Sequence, residues 1–284
     1  AYPVCSSRSI GTTAFGREIE AMAIGSGGRT VLFTAAHHAN EWITATVLLK
    51  FAEELSRAIL EKGQVCGIPA NLFEENCQIF LVPMVDPDGV DLVTGGIAQG
   101  SIQWEQAKRL SNNCPSVPFP NGWKANLLGV DLNLQYPAGW LQAREIKFSQ
   151  GYTRPGPRDY VGKAPLTQRE SRALADFTNY LDPALILAYH TQGEQIYWKY
   201  DDVDVPGALA LGQEFARLSG YSLEETPYAS GFAGYKDWFI KVWRRPGFTI
   251  EAGLGENPLP ISQFDTIYAK NLGILTTAAL GLPA

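Results

Sequence analysis

The sequence predicts a single α/β domain over residues 1–284, built of packed layers of helix and sheet. Apolar runs rich in β-branched and aromatic residues alternate along the chain with segments of helical periodicity. No internal repeat and no change in composition marks a domain boundary. Hydrophobic residues make up 45% of the chain, which is enough to build one large core.

Four segments are predicted as strands because they are almost continuously apolar, as strands covered on both faces tend to be. They span residues 30–36, 78–85, 184–189 and 247–250. Their spacing along the chain leaves room for a helix between successive strands.

Four amphipathic helices are predicted from apolar residues at helical spacing. The first follows Trp42, and the second begins at a capping box formed by Thr167 and Glu170. The third opens near Pro206 and ends at Gly220, and the fourth approaches the C-terminus. The residues assigned to the core are Leu48, Phe51, Leu55, Ile59, Leu174, Phe177, Leu181, Leu211, Phe215, Leu218, Phe264, Ile267, Tyr268, Leu272 and Leu275.

Residues 93–121 differ from these segments because they are rich in Gly, Ser, Asn and Pro and show little periodicity. They are predicted as a long connection, and such connections often border a functional site.

The composition limits the classes of partner. A net charge of −6 argues against nucleic acid as the main partner. No stretch approaches the roughly 20 apolar residues that span a bilayer. An even number of cysteines permits two disulfides or four free thiols, so the redox compartment stays open. The four are Cys5, Cys66, Cys77 and Cys114.

All three histidines of the chain lie at the ends of predicted strands. His37 and His38 close the first strand and His190 closes the third, where ligands of open α/β sheets gather. Glu41 follows His38 by three residues and can bring a carboxylate to the same point. Two histidines and one glutamate form a zinc set that leaves a position for water. The alternative is a hydrogen-bonded His38–Glu41 pair beside a core histidine.

A zinc site indicates hydrolytic chemistry, because zinc lowers the pKa of a bound water to about 7. Hydrolysis also needs a carboxylate that transfers protons and a cation that stabilises the oxyanion. Glu251 closes the predicted strand 247–250 and suits the role of general base. The alternative is a solvated glutamate at a strand end.

Several motifs, in order along the chain, resemble those of the zinc carboxypeptidases. Residues 38–44, HANEWIT, resemble the metal motif H-x-x-E-W-I-T, and residues 86–89, DPDG, resemble an N-P-D-G turn. Residues 129–133, GVDLN, resemble G-V-D-x-N, and residues 248–251, FTIE, resemble the strand that ends in the catalytic glutamate. The resemblance implies one Zn²⁺ per chain and a mixed, mostly parallel eight-stranded sheet with helices on both faces.

The resemblance also implies roles for side chains around that ion. Lys124 is expected to stabilise the oxyanion, although an exposed loop lysine is the alternative. Asp131 is expected to orient the imidazole of His38, as metal-bound histidines usually require. Asn133 and Tyr228 are expected to contact substrate, the tyrosine through a match that needs one inserted residue.

Two positions depart from the family's pattern. Leu134 stands where the family has an arginine that clamps the substrate's terminal carboxylate, so ordinary carboxypeptidase specificity is not expected. Lys236 stands at the specificity position on the floor of the primed pocket. A lysine there favours a side chain that ends in a carboxylate, and an exposed lysine at a helix start is the alternative.

Further segments, among them residues 190–194 (HTQGE) and 243–248 (WRRPGF), resemble the bacterial γ-D-glutamyl-diaminopimelate peptidases, which cut peptidoglycan stem peptides. Lys236 is then expected to bind the side-chain carboxylate of diaminopimelate. Arg244 or Arg245 is expected to meet the free α-carboxylate of the γ-linked D-glutamate, with a structural ion pair as the alternative for each.

The sequence thus predicts a zinc peptidase that hydrolyses the γ-D-glutamyl–meso-diaminopimelate amide of peptidoglycan stem peptides. A location at the cell wall or outside the cell is favoured over the cytoplasm. One rival interpretation is a carboxypeptidase that acts on protein C-termini, and Leu134 argues against it. The other rival is a catalytically silent, metal-dependent module that binds peptidoglycan, and Glu251 and Lys124 argue against that one.

Overall fold

The computed structural model describes residues 2–282. Strands and helices alternate along much of the chain, as expected for an α/β domain. The strands are β1 Cys5–Thr12, β2 Glu18–Ile24, β3 Arg29–Thr34, β4 Gln64–Val65, β5 Ile68–Pro69, β6 Cys77–Val82, β7 Leu185–His190, β8 Gln195–Tyr197, β9 Ser222–Glu224 and β10 Gly247–Glu251. The α-helices are α1 Ile43–Leu60, α2 Ala70–Asn76, α3 Pro87–Thr94, α4 Ile102–Ser111, α5 Trp140–Ser149, α6 Arg169–Leu181, α7 Ala208–Ser219, α8 Tyr235–Trp243 and α9 Phe264–Leu280.

A mixed eight-stranded sheet runs through the molecule in the order β1-β2-β6-β3-β7-β10-β8-β9. The pairs β3–β6, β3–β7, β7–β10 and β8–β9 are parallel. The pairs β1–β2, β2–β6 and β8–β10 are antiparallel. The prediction of a mixed, mostly parallel sheet is therefore confirmed. Strands β4 and β5 form a separate small ribbon.

Helices cover both faces of the sheet. Phe33 of β3 contacts Phe51 of α1, with ring centroids 6.4 Å apart. Phe80 of β6 contacts Phe177 of α6, with centroids 5.7 Å apart. Phe80 is in register with Leu32, the residue before Phe33. Because neighbouring residues of a strand point to opposite faces, α1 and α6 pack on opposite sides of the sheet.

The four predicted strands correspond to β3, β6, β7 and β10, which lie side by side in the middle of the sheet, and the prediction is confirmed for them. The outer strands β1, β2, β8 and β9 were not predicted. The sequence of β1, CSSRSIGT, is mostly polar and exposed, and β8 and β9 have three residues each. Such strands lack the continuous apolar run that burial on both faces produces.

All four predicted helices are present as α1, α6, α7 and α9, and Gly220 ends α7 in the left-handed conformation as expected. The predicted capping box at the start of α6 is wrong. Gln168 is the N-cap residue, and no side chain caps the helix. The hydroxyl of Thr167 instead donates to Oε1 of Gln135, at 3.0 Å.

The prediction of a long connection over residues 93–121 is also wrong in part, because the segment contains helix α4. The hydroxyl of Ser101 accepts a hydrogen bond from the backbone N of Trp104, at 3.2 Å, and caps this helix. Only Ala107 and Ser111 of α4 are buried. A helix that buries so little leaves no strong apolar periodicity in the sequence.

No helix within residues 2–282 is both long and apolar enough to cross a bilayer. The count of cysteines permitted either two disulfides or four free thiols. In the structure all four cysteines are free thiols. The thiol of the buried Cys77 donates to the carbonyl of Ala279 at 3.2 Å.

The sheet brings three strand ends together in its centre. His37 and His38 follow β3, His190 ends β7 and Glu251 ends β10. Strands β3, β7 and β10 are adjacent and parallel, and Glu251 is in register with His190. Their side chains therefore meet at one edge of the sheet, at the carboxyl ends of the strands.

Candidate metal centre and active-site cavity

His38, Glu41 and His190 converge on one buried position, the metal point. Their candidate ligand atoms all lie within 4.8 Å of one another. Nδ1 of His38 lies 2.9 Å from Oε1 of Glu41, and Nδ1 of His190 lies 2.9 Å from Oε2. The two Nδ1 atoms are 3.1 Å apart. Both rings thus present the same nitrogen to a shared carboxylate.

This donor set fits a zinc ion. In a tetrahedral site with metal–ligand distances of about 2.0–2.1 Å, ligand atoms lie about 3.3 Å apart. The spacings of 2.9 to 3.1 Å in the structure are close to that value. Imidazole nitrogen and carboxylate oxygen are both usual zinc donors, and three protein ligands leave a coordination position for water.

The turn after β3 fixes Glu41 within this cluster. Residues Ala39–Glu41 form one 3₁₀ turn, and the hydroxyl of Thr44 donates to the carbonyl of Glu41 at 2.7 Å. The same hydroxyl accepts from the backbone N of Ala36 at 3.0 Å. The backbone N of Thr191 donates to Oε2 of Glu41 at 3.2 Å, so the carboxylate is oriented from both strand ends.

His37 supports the cluster from behind and is not one of its ligands. Its ring stacks on His190 with centroids 5.5 Å apart, and its Nε2 lies 3.2 Å from the hydroxyl of Tyr136. Burial, reinforced by the other two histidines, lowers the pKa of His37 well below its usual value. His37 is therefore a neutral packing group beneath His190.

Asp131 and Asn133 contact the outer side of the two candidate ligands. Oδ1 of Asp131 accepts from Nε2 of His38, at 3.1 Å, and from the backbone N of Asn133. Oδ1 of Asn133 accepts from the backbone N of Tyr235, at 2.9 Å, and its Nδ2 lies 3.5 Å from Nε2 of His190. Asp131 thus lies where it can hold the ring of His38 with Nδ1 toward the metal point.

Glu251 and Lys124 lie beside the cluster in the same cavity. Burial, reinforced by the charge of Glu41, raises the pKa of Glu251 to about 8. A divalent cation at the cluster opposes this shift, because it favours the charged carboxylate. Nζ of Lys124 lies 3.6 Å from Oδ2 of Asp131. Burial lowers the pKa of Lys124, but nearby carboxylates, Asp131 first, outweigh burial and raise it, so this lysine is charged.

The cavity that contains the cluster has a volume of about 350 Å³, within the range of ligand sites. Lys236 lines it, as expected from the sequence. The lysine is only 4% exposed, and its ammonium has three partners. Nζ donates to the carbonyl of Lys199 at 2.6 Å and to the hydroxyl of Thr226 at 3.0 Å, and it pairs with Asp237 at 2.7 Å. A substrate carboxylate must therefore replace one of these partners to reach Lys236.

Replacing Lys236 by Met is expected to lower the free energy of unfolding by about 3–5 kcal/mol, because it leaves the buried Asp237 carboxylate without its cation. Denaturant unfolding measures this change. Lys241→Met in the same helix is the matched control, since Lys241 is exposed. Equal stability of the two variants would contradict a structural ion pair at Lys236.

Tyr228 is not among the residues that line this cavity, and its contact with substrate stays a prediction. The side chain is 68% exposed. Its hydroxyl accepts from Nε2 of Gln142 at 2.9 Å, and its ring packs edge-on against Phe232. These two contacts turn the tyrosine toward a neighbouring surface cavity lined by Gln142 and Lys199.

Arg245 also lies outside the cavity, and its predicted role in substrate binding is wrong. Its guanidinium donates to Oδ1 of Asp182 at 2.8 Å and to the carbonyl of Pro183 at 3.0 Å. Pro183 precedes β7, whereas His190 ends it, so about 16 Å of strand separates Arg245 from the metal point. The ion pair, the alternative from the sequence, is what the structure shows.

Arg245→Ala is accordingly expected to leave kcat/KM unchanged and to lower the free energy of unfolding by about 0–1 kcal/mol, as is usual for an exposed ion pair. Steady-state kinetics and denaturant unfolding of the same preparation check both expectations. A loss of kcat/KM of tenfold or more, about 1.4 kcal/mol, would show that Arg245 does contribute to substrate binding or catalysis.

The charged residues Lys147, Arg158 and Asp159 line the cavity and were missed from the sequence. Nζ of Lys147 lies 2.7 Å from Oδ1 of Asp159, and Nε of Arg158 lies 2.5 Å from Oδ2. The only sequence signal was an adjacent Arg-Asp pair in a loop rich in Gly and Pro, which by itself indicates a solvated turn.

Comparison with known proteins adds to this geometry. A family model described as zinc carboxypeptidase matches residues 1–272. The chain is 43% identical over 274 residues to gamma-D-glutamyl-L-diamino acid endopeptidase 1 of Lysinibacillus sphaericus, covering 96% of this chain and 67% of that protein. It is 39% identical over 280 residues to the uncharacterized protein YqgT of Bacillus subtilis (strain 168), covering 98% of this chain and 72% of that protein.

A solved structure has the same fold. Bovine thrombin-activatable fibrinolysis inhibitor, in complex with tick carboxypeptidase inhibitor, aligns with a TM-score of 0.73 at 16% sequence identity. The alignment covers 98% of this chain and 90% of that chain. The predicted single α/β domain with its eight-stranded mixed sheet is the fold of this structure.

Proposed function

Because the chain belongs to the zinc carboxypeptidase family, we propose that this zinc peptidase hydrolyses the γ-D-glutamyl–meso-diaminopimelate amide of peptidoglycan stem peptides. The observation that carries the proposal is Leu134 beside a complete hydrolytic centre. The name of the 43% identical relative, a γ-D-glutamyl-L-diamino acid endopeptidase, supports the same class of substrate.

The hydrolytic centre consists of His38, Glu41 and His190 as zinc ligands, with Glu251 and Lys124 beside them. Zinc, when bound there, polarises a carbonyl and makes a water acidic. Glu251 accepts the proton of the attacking water and donates it to the leaving amine of diaminopimelate.

Lys124 places an ammonium beside the same point, where it stabilises the negative charge that develops on the carbonyl oxygen. Its ion pair with Asp131 positions the ammonium, and Asp131 also holds His38. The carboxylate of Asp131 therefore positions both Lys124, which stabilises the oxyanion, and His38, which is a metal ligand.

Leu134 determines which end of a substrate the cavity accepts. It lines the cavity and packs with Ala143, Val161 and Ala233. An apolar wall offers no partner to a terminal α-carboxylate, and burying an unpaired carboxylate against it is unfavourable. In a stem tetrapeptide the α-carboxylate of diaminopimelate is joined to D-alanine as a neutral amide. The wall therefore favours cleavage inside the stem over release of a C-terminal residue.

Competing peptides test this proposal. We expect kcat/KM for L-Ala-γ-D-Glu-meso-diaminopimelyl-D-Ala to exceed that for the isomer with an α-linked glutamate and that for a blocked dipeptide with a free C-terminus. A carboxypeptidase of protein C-termini would prefer the blocked dipeptide. A silent binding module would bind the stem peptide with no turnover of any of the three, and either result would overturn the proposal.

A further inference from the structure

The metal cavity adjoins a second cavity of about 650 Å³. Glu41, Lys124 and Glu251 line both cavities. Lys236 lines only the first, and residues 116–118 line only the second. A substrate that crosses the metal point thus places its leaving group in the first cavity, where the specificity position lies, and its acyl group in the second.

Two basic residues, Lys124 and Arg158, line the second cavity. Lys124 is paired with Asp131 and faces the oxyanion position. Arg158 uses only its Nε, which donates to Oδ2 of Asp159 at 2.5 Å. Within residues 2–282, neither Nη atom of Arg158 has a hydrogen-bond acceptor, and the side chain is 43% exposed. Its guanidinium fork is therefore available at the junction of the two cavities, both of which it lines.

Backbone hydrogen bonds fix Arg158 in this place. The carbonyl of Pro157 accepts from the backbone N atoms of Lys124 and Ala125, at 2.8 and 2.9 Å. The carbonyl of Tyr160 accepts from the backbone N of Asp131 at 2.9 Å. The residues on both sides of Arg158 are thus joined to the segment that carries the oxyanion lysine.

The positive charge of Arg158 is not cancelled by its partner. Asp159 is only 6% exposed and is shared with Lys147, whose Nζ lies 2.7 Å from Oδ1. Two cations and one carboxylate leave a net positive charge. An arginine held through Nε presents its remaining N–H donors in a planar fork, the geometry that matches a carboxylate.

A γ-linked D-glutamate keeps a free carboxylate on the acyl side of the scissile amide. Its α-carboxylate is free and lies three carbon atoms from the scissile carbonyl. We propose that Arg158 binds this carboxylate, with Asp159 as the residue that positions the guanidinium, and so selects substrates whose acyl residue carries the free carboxylate over those in which it is amidated. This inference rests on the proposed function, since it names the contact that recognises the acyl half of that substrate.

Amidation of the D-glutamate tests the contact. The two substrates are the stem tetrapeptide with γ-D-glutamate and its counterpart with D-isoglutamine, in which the α-carboxylate is a neutral amide. Wild type is expected to prefer the acid by about 10- to 100-fold in kcat/KM, the usual range for a charge-assisted contact. Arg158→Gln is expected to lose this factor on the acid and to leave the amide nearly unchanged. Arg154→Gln, exposed in the same loop and lining neither cavity, is the control and is expected to behave as wild type.

A third substrate distinguishes whether Arg158 binds the α-carboxylate of D-glutamate or the α-carboxylate of diaminopimelate. It is the stem tripeptide, in which the α-carboxylate of diaminopimelate is free. If Arg158→Gln slows the tripeptide selectively and the isoglutamine peptide is cleaved as well as the acid, Arg158 serves the leaving group and the inference is overturned. Equal slowing of all substrates would also overturn it. Absence of cleavage of every stem peptide by wild type would instead overturn the proposed function, and the inference with it.

Discussion

Replacing Glu251 by Gln is expected to reduce kcat by about 10²–10⁴-fold, the usual contribution of general acid–base catalysis. Glutamine keeps the shape of the side chain at the end of β10 but cannot accept a proton. Glu251 is not among the three residues that converge on the metal point. The variant is therefore expected to keep stoichiometric zinc while it loses turnover.

Steady-state kinetics on the stem tetrapeptide and metal analysis of the same preparation measure both quantities. Glu256→Gln is the matched control, because Glu256 is exposed at the rim of the second cavity. It removes one negative charge nearby and is expected to leave kcat unchanged. A Glu251→Gln variant that retains more than about a tenth of wild-type kcat would show that another group is the base.

Replacing His190 by Ala, or removing the metal with a chelator, is expected to reduce kcat/KM by about 10³-fold or more, since a catalytic zinc contributes several kcal/mol of transition-state stabilisation. His190 supplies one of the two Nδ1 atoms that face Glu41. Its loss leaves two protein ligands where a catalytic zinc site normally has three.

Readdition of zinc separates loss of the metal from damage to the fold. Chelated wild type is expected to recover full activity when zinc is restored, whereas His190→Ala is expected to stay inactive and to bind zinc weakly. Circular dichroism of the variant monitors the sheet, because β7 lies at its centre. A His190→Ala protein with unchanged zinc affinity would mean that His190 is not a ligand.

The centre of the fold could be predicted from the sequence because its elements are defined by burial. Strands β3, β6, β7 and β10 are covered on both faces and so appear as apolar runs. The residues that follow or end them were expected to meet, and His38, His190 and Glu251 do so. The outer strands β1, β8 and β9 could not be predicted this way, because β1 is mostly polar and exposed and β8 and β9 have only three residues each.

The substrate-binding residues could be predicted less well, because their roles depend on which way a side chain points. Arg245 is two residues from β10, but it precedes the strand and lies at the wrong end of the sheet. Tyr228 and Lys236 are close to the site, and contacts with Gln142 and Asp237 determine what they can offer a ligand. Arg158 comes from a loop whose position depends on pairing with distant backbone.

Product identification on one defined substrate tests the central claim most directly. Purified protein with stoichiometric zinc is incubated with L-Ala-γ-D-Glu-meso-diaminopimelyl-D-Ala, and the products are identified by mass spectrometry. The proposed function predicts two dipeptides, L-Ala-D-Glu and meso-diaminopimelyl-D-Ala, in equal amounts, with none formed after chelation. Release of free D-Ala with the tripeptide as its partner, or an intact tetrapeptide, would contradict cleavage at the γ-D-glutamyl bond.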